Sequence, residues 1–133
     1  MTKAQLIHKY GGPEELQWED VEVADPGPGE VRIRHTAIGM NMMEIGLRMG
    51  TYPGPELPFI PGVEAAGVIE GTGDSVSEFK TGDRVGYAGP PVGSYAESRV
   101  YPAARLIPIP DDIDDATAAA SMIKGITAES LLN

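Results

Sequence analysis

The chain has 133 residues, of which 41% are hydrophobic and 23% are charged, a composition typical of one soluble globular domain. Its formal net charge of −10 disfavours nucleic acid as a partner, because an acidic surface repels phosphate groups. There is no cysteine, which excludes disulfides and thiolate metal sites, and no apolar segment is long enough to cross a membrane. By default, we expect a cytoplasmic location.

The part of the chain before Pro110 predicts short β-strands joined by tight turns. Its apolar residues alternate with polar ones, and the 17 glycines and 12 prolines are scattered rather than repeated. In the clearest segment, Val31 and Ile33 share one face of a strand while Arg32 lies on the other. The expected strands are residues 3–10, 16–23, 31–38, 63–71, 84–87, 94–100 and 106–109.

Two segments predict helices. Apolar residues recur at helical spacing over residues 41–49, where Asn41 suits the start of a short helix. An alanine-rich run predicts a second helix over residues 116–132, with capping oxygens from the Asp111-Asp112 pair and a break at Gly125. The chain is therefore expected to be mainly β with a helical C-terminal tail.

Two potential binding motifs are too weak to define a site. His8 and His35 both lie in predicted strands, and neither has a second ligand at metal-binding spacing. Gly71 and Gly73 resemble the start of a dinucleotide-binding loop, but the third glycine and the following helix are missing. A hairpin turn explains them better, so the chain lacks a complete dinucleotide-binding unit.

Three ordered segments carry a family resemblance. They begin with Gly39-Met40-Asn41, Pro61-Gly62-Val63-Glu64 and Gly82-Asp83-Arg84. In this order and spacing, the chain resembles the catalytic domain of the medium-chain dehydrogenase/reductase superfamily, in its zinc-free quinone oxidoreductase branch.

The resemblance implies a GroES-like fold, which is a partly closed antiparallel β-barrel with short helices. It assigns residues 1–122 to a substrate-binding domain and residues 123–133 to the start of a helical link. That link would lead to a Rossmann domain that this chain does not contain.

The resemblance also implies the chemistry. Quinone oxidoreductases transfer hydride from NADPH or NADH to a quinone or a related conjugated carbonyl compound. Zinc-dependent relatives have a cysteine near the position of Asn41 and a histidine at that of Val63, so no zinc is expected here. The chain by itself is expected to be inactive, and the resemblance leaves a homodimer open.

Four residues are candidates for the site. Asn41 is predicted to contact the nicotinamide or a substrate carbonyl, with a helix cap as the alternative. Tyr52 is predicted to donate a hydrogen bond from its phenol, with a loop anchor as the alternative. Lys124 and Thr127 are predicted to lie near the cofactor, although the Thr127 hydroxyl could instead bond to its own helix.

Structural roles are predicted for the neighbouring charged and apolar residues. We expect Glu64 to pair with Arg84, because a buried carboxylate needs a partner. Glu44 and Arg48 are four residues apart and are expected to pair on one helix face. The methionines of residues 40–49 are expected in the core, with a lining for a hydrophobic ligand as the alternative.

Two other functions compete with quinone reduction. In an enoyl-thioester reductase, a tyrosine at the position of Tyr52 would protonate the substrate carbon. A non-catalytic binding module would instead show a large exposed apolar patch. A co-chaperonin function has the weakest support, because similarity of fold alone does not imply function.

Overall fold

The computed structural model describes all 133 residues and contains seven strands and two α-helices. Short 3-10 helices span Pro13–Glu15 and Ala103–Arg105. The strands and helices are β1 (Thr2–Ile7), β2 (Leu16–Val21), β3 (Glu30–Ile38), α1 (Met42–Met49), β4 (Glu64–Thr72), β5 (Arg84–Ala88), β6 (Ser98–Pro102), β7 (Ile107–Pro108) and α2 (Asp115–Leu132).

The strands form two antiparallel sheets. Strands β1 and β2 pair as a two-stranded sheet, and the other five strands form a sheet in the order β6-β3-β4-β5-β7. Isolated bridges from Ala4 to Ala96 and from Ile7 to Phe59 connect the small sheet to the rest of the fold. The strands do not close into a complete barrel, and the expected mainly β, partly closed fold is confirmed.

Alternation in the sequence explains the central strands. On β3, the side chains of Val31 and Ile33 are fully buried, whereas Arg34 faces solvent. Strand β4 is buried through its first half, and Ala65 and Ile69 belong to the same core as Val31 and Ile33. The predicted assignment of faces in β3 is therefore confirmed.

The two helices pack against different strands of this framework. Ala118 and Ala119 of α2 join Ala66 of β4 in a small apolar cluster. Leu47 of α1 packs with Ile7 of β1 in another cluster. Both helices are thereby fixed relative to the sheets, and each leaves part of its surface free to border a cleft.

One strand prediction was wrong at its start. Residues 94–100 were expected to form a strand, but β6 begins only at Ser98. The preceding residues bond to the small sheet, since Gln5 N donates to Tyr95 O and Glu97 N donates to Lys3 O, both at 2.8 Å. This segment joins the two sheets, so it cannot continue one ladder.

The start and continuity of α2 also differ from prediction. Its N-cap is Asp114, whose side chain accepts from Thr117 N at 2.6 Å, and not the Asp111-Asp112 pair. The expected break at Gly125 does not occur, because α2 is continuous from Asp115 to Leu132. The proposed boundary between residues 122 and 123 falls inside this helix and stays a prediction.

Neither helix has the length and apolar character that a membrane span requires.

Candidate active site

A cleft of about 840 Å³ lies between the start of α1 and one face of α2. Most of its lining is apolar, which suits a flat, poorly hydrated ligand. The residues that line it are Leu16, Met40, Asn41, Met42, Met43, Glu44, Ile45, Arg48, Pro61, Tyr95, Ile123, Lys124, Thr127, Ala128 and Leu131.

Asn41 immediately precedes α1 and makes hydrogen bonds both within its own helix turn and to distant parts of the chain. It is the N-cap residue, and its backbone N–H donates to the Glu44 carboxylate at 2.7 Å. Its side-chain Nδ2 donates to Glu64 Oε2 at 3.0 Å, while its Oδ1 accepts from Lys124 Nζ at 3.2 Å. The side chain is thus held by tertiary contacts on both sides.

Glu64 is fully buried beneath Asn41. Its Oε1 accepts from the backbone N–H of Ile123 at 2.9 Å, and Lys124 Nζ lies 4.0 Å from its Oε2. The predicted pair with Arg84 is wrong, because the Arg84 guanidinium instead contacts Asp115 at 2.6 Å. The sheet places Arg84 at the other end of the β4–β5 pairing, opposite Val68.

Lys124 and Thr127 project from α2 into the same cleft. Lys124 Nζ also donates to Met40 O at 3.1 Å. Thr127 is exposed and lines the cleft. Its hydroxyl makes no bond to the helix backbone, unlike that of Ser121, whose Oγ donates to Thr117 O at 2.7 Å.

Tyr52 does not line the cleft. Its ring packs against α1 at Gly46, where a Cβ would overlap the ring atoms. The side chain is 53% exposed. The fold thus brings together Asn41, Lys124 and Thr127 but leaves Tyr52 outside this group, and a catalytic role for Tyr52 stays a prediction.

The methionine and Arg48 predictions need correction. Met40 and Met42 are 75% and 78% exposed, so they do not belong to a helix core. They line the cleft instead, which is the alternative of an adaptable apolar surface. Arg48 does not pair with Glu44, because its Nε donates to Gly11 O at 3.2 Å and fixes α1 to the β1–β2 turn.

Glu44 and Tyr95 are cleft residues whose titration is perturbed. Burial raises the pKa of the Glu44 carboxyl, backbone hydrogen bonds oppose this shift, and the neighbouring Glu64 adds to it. Burial, followed by the charge of Glu44, raises the pKa of Tyr95 to about 12. No sequence motif selects Tyr95, because its place in the cleft depends on the contact between the two sheets.

No group of three or more histidine, aspartate or glutamate side chains is arranged to hold a metal ion. His8 bonds to Glu19 at 2.7 Å on the surface. His35 is part-buried and bonds to Tyr87 and to the carbonyl of Ala96. Neither histidine lines the cleft that contains Asn41, Lys124 and Thr127.

The partly closed antiparallel fold with short helices agrees with the expected GroES-like fold. Residues 27–111 match the family model of the alcohol dehydrogenase GroES-like domain. The chain belongs to this family. The expected resemblance is thereby confirmed at the level of the domain.

Individual relatives narrow the comparison. The chain is 46% identical over 139 residues to a 2-haloacrylate reductase of a Burkholderia species, covering 100% of this chain and 41% of the relative. It is 47% identical over 132 residues to a quinone oxidoreductase of Pseudomonas aeruginosa, covering 99% of this chain and 41% of that protein.

A solved structure shows the same fold. The quinone oxidoreductase of Escherichia coli, crystallised with NADPH, superposes with a TM-score of 0.95 at 39% identity. The match covers 98% of this chain and 40% of that one. The chain therefore spans about 40% of the length of the proteins that it resembles.

Proposed function

We propose that this chain is the substrate-binding domain of an NAD(P)H-dependent oxidoreductase that reduces quinones or related conjugated carbonyl compounds. The observation that carries the proposal is the apolar cleft with Asn41, Lys124 and Thr127 grouped on its wall. A flat conjugated ring suits the apolar lining, and a few polar groups can orient its oxygen atoms. Relatives that are named quinone oxidoreductase and 2-haloacrylate reductase support the same class of acceptor.

The cleft residues fit the nicotinamide end of the cofactor. A carboxamide needs one acceptor and one donor, and Asn41 retains one amide hydrogen and one oxygen lone pair beyond its internal bonds. The Thr127 hydroxyl has no bond to its own helix and faces the same space. NADPH is preferred in this proposal because the related Escherichia coli enzyme was crystallised with it.

The chain does not fit the pyrophosphate end. Gly71 is the penultimate residue of β4, which ends at Thr72, and Gly73 follows the strand directly, where a Cβ would overlap the Gly27 carbonyl. The next regular element is a strand, not a helix, so no helix N-terminus is available for phosphate. In this proposal, a dinucleotide-binding domain beyond the helical link of residues 123–133 completes the site.

The residues of this chain would act on the acceptor oxygen. A bound nicotinamide would supply hydride, and negative charge would then develop on the carbonyl oxygen of the acceptor. Lys124 holds an ammonium group at the rim of the cleft, where it stabilises that charge. The apolar methionines of the cleft exclude water from the ring. Zinc has no part in the proposal, because Asn41 and Val63 stand at the positions where zinc-dependent relatives have ligands.

Activity of the longer protein tests the proposal. NADPH oxidation by 1,4-benzoquinone should fall about a hundredfold in kcat/KM for Lys124→Met. Asn41→Ala should reduce it about tenfold. Lys9→Met is the matched control, because Lys9 is exposed and pairs only with Glu15. Wild-type rates in both cleft variants would contradict the proposal.

The isolated chain provides a second test. Calorimetric titration with NADPH should show no binding at micromolar concentrations, since the contacts to the nicotinamide alone must offset the loss of translational and rotational freedom. Micromolar affinity would reveal a cofactor site within residues 1–133.

The proposal also includes a cytoplasmic location and a homodimer. Light scattering of the longer protein would measure its oligomeric state.

The competing functions make different predictions. Thioester reduction assigns a proton to Tyr52, and the packing of its ring on Gly46 disfavours that role. A Tyr52→Phe variant should therefore keep its rate of quinone reduction. A binding module would use the exposed apolar surface around Met40 and Met42. In the oxidoreductase proposal, the dinucleotide-binding domain covers this surface.

A further inference from the structure

Glu64 is a buried carboxylate in an apolar strand. It is 0% exposed, and its neighbours Val63, Ala65 and Ala66 are also buried. A carboxylate in such surroundings is unfavourable unless hydrogen bonds and an opposite charge compensate for the lost hydration. The partners that provide this compensation indicate what the residue does.

The partners of Glu64 come from two different segments. Its Oε2 accepts from Asn41 Nδ2 at 3.0 Å, in the loop that precedes α1. Its Oε1 accepts from the backbone N–H of Ile123 at 2.9 Å, in α2. Lys124 Nζ is 4.0 Å from Oε2 and supplies the opposite charge. One carboxylate on β4 thereby joins both walls of the cleft.

We propose that Glu64 is a positioning residue that sets the orientation of the Asn41 amide and holds Lys124 at the rim of the cleft. A carboxylate only accepts hydrogen bonds, so Nδ2 of Asn41 must face it. The amide oxygen then faces Lys124 Nζ at 3.2 Å. A flipped amide would place oxygen against carboxylate and nitrogen against ammonium, and both contacts would be repulsive.

The backbone beside Asn41 fits this role. Gly39 N donates to Glu64 O at 2.8 Å, which holds the loop against β4. A Cβ on Gly39 would lie 2.9 Å from Glu64 Oε2 and closer still to Ala119 O. Glycine at this position therefore permits the loop, the carboxylate and α2 to approach one another closely enough for the hydrogen bonds.

The geometry can be tested in this chain without any activity measurement. Only four residues carry a side-chain amide, namely Gln5, Gln17, Asn41 and Asn133. In a ¹⁵N–¹H correlation spectrum, the two amide protons of Asn41 should be widely separated, because one is bound to a carboxylate. Glu64→Gln should bring their shifts together, and an unchanged Asn41 pair in the folded variant would overturn the proposal.

Glu70→Gln is the matched control. Glu70 lies on the same strand but is more exposed and faces Arg32 and Arg34 at 3.7 and 3.6 Å. The same loss of charge there should leave the Asn41 signals unchanged. A shift of equal size in the control would show that the spectrum reports only the net charge of the chain, and would also overturn the proposal.

A double variant tests the partnership directly. Asn41→Asp alone places two carboxylates together, and Glu64→Gln alone sets a donor against a donor. In the Glu64→Gln/Asn41→Asp variant, the introduced amide donates to the introduced carboxylate, which accepts from Lys124 on its other oxygen. Its melting temperature should exceed that of both single variants. A value at or below the higher of the two would contradict the partnership.

The catalytic consequence rests on the proposed function. In the longer protein, Glu64→Gln should reduce kcat for quinone reduction about tenfold, at a temperature where the variant is fully folded. A role in stability alone predicts a lower melting temperature with an unchanged kcat, which would overturn the positioning role. If Asn41→Ala and Lys124→Met leave the activity intact, the proposed function fails, whereas the spectra still decide the role of Glu64.

Discussion

Two polar clusters lie within the same fold and differ in how completely they are closed. The core cluster consists of His35, Tyr87 and Arg99. The cleft cluster consists of Glu64 and its partners Asn41 and Lys124. In the core cluster each polar group bonds within the protein, whereas the cleft cluster ends in groups that retain free hydrogen-bonding capacity at an open surface.

The core cluster has one consistent arrangement of protons. The Ala96 carbonyl lies 2.6 Å from His35 Nδ1 and only accepts, so Nδ1 carries the hydrogen. Nε2 then accepts from the Tyr87 hydroxyl at 2.8 Å. Arg99 Nη1 donates to the Tyr87 oxygen at 3.4 Å, and its guanidinium lies 4.9 Å from the centre of the Tyr101 ring.

Buried polar clusters in one fold can therefore stabilise the core or present groups to a ligand. A closed cluster rigidifies the core and offers nothing to a ligand. A cluster that ends at a cleft presents oriented donors and acceptors. Substitutions in the core cluster should therefore change the free energy of unfolding, and those at the rim of the cleft should change ligand binding.

Acid should disrupt the core cluster and lower the free energy of unfolding more than any of the substitutions described below. Burial lowers the pKa of His35 from 6.5 to about 4, the bond to Ala96 opposes the shift, and the charge of Arg99 lowers the pKa further. Between pH 6.5 and 4 the unfolded state binds more protons, so stability falls as the pH falls, by up to about 3 kcal/mol.

Urea unfolding across this pH range measures the effect. A His35→Gln variant should start from a lower stability at pH 7 and should show a flatter pH dependence between 6.5 and 4. Equal slopes for the variant and the wild type would show that His35 does not account for the acid sensitivity.

Gly39→Ala should break the cleft cluster by crowding. The new methyl group would overlap the backbone oxygen of Ala119, which cannot rotate away, so we expect a loss of about 2 kcal/mol. Gly71→Ala is the control, because a Cβ there meets nothing within 4 Å. Urea unfolding at pH 7 compares the two, and equal stability would contradict the close approach of α2 to the loop.

Arg99→Met should cost about 1–2 kcal/mol, because it removes the hydrogen bond to the Tyr87 oxygen and leaves the carbonyl of Val92 without its side-chain donor. Arg34→Met is the control, since the side chain of Arg34 is 54% exposed and pairs only with Glu70. That change should stay within about 0.5 kcal/mol. Thermal unfolding compares the two variants. A larger loss of stability for Arg34→Met than for Arg99→Met would contradict the stabilising role of the core cluster.

Thr127→Val should have the smallest effect on stability, within about 0.5 kcal/mol, because Thr127 is exposed and bonds to no backbone carbonyl of α2. In the longer protein, the same variant should weaken NADPH binding, which fluorescence titration would measure. A clear loss of stability with normal cofactor affinity would return Thr127 to a purely structural role.

Local patterns were sufficient to predict most of the fold. Alternation located β3, and helical spacing with Asn41 located α1. These features depend on neighbours within a few residues, which is why sequence periodicity reveals them. The error at residues 94–97 has the opposite origin, because that segment bonds to β1, far away in the chain.

Local sequence patterns predicted most of the elements and the mainly β class, and the family resemblance selected three of the residues that line the cleft, namely Asn41, Lys124 and Thr127. The partners of these residues depend on the tertiary packing. Glu64 meets Asn41 across 23 residues, and Lys124 meets Asn41 across 83. Charge pairing cannot be predicted from composition, because a carboxylate bonds to whichever donor the packing brings within about 3 Å. Glu64 therefore bonds to the loop before α1 and to α2, and not to Arg84.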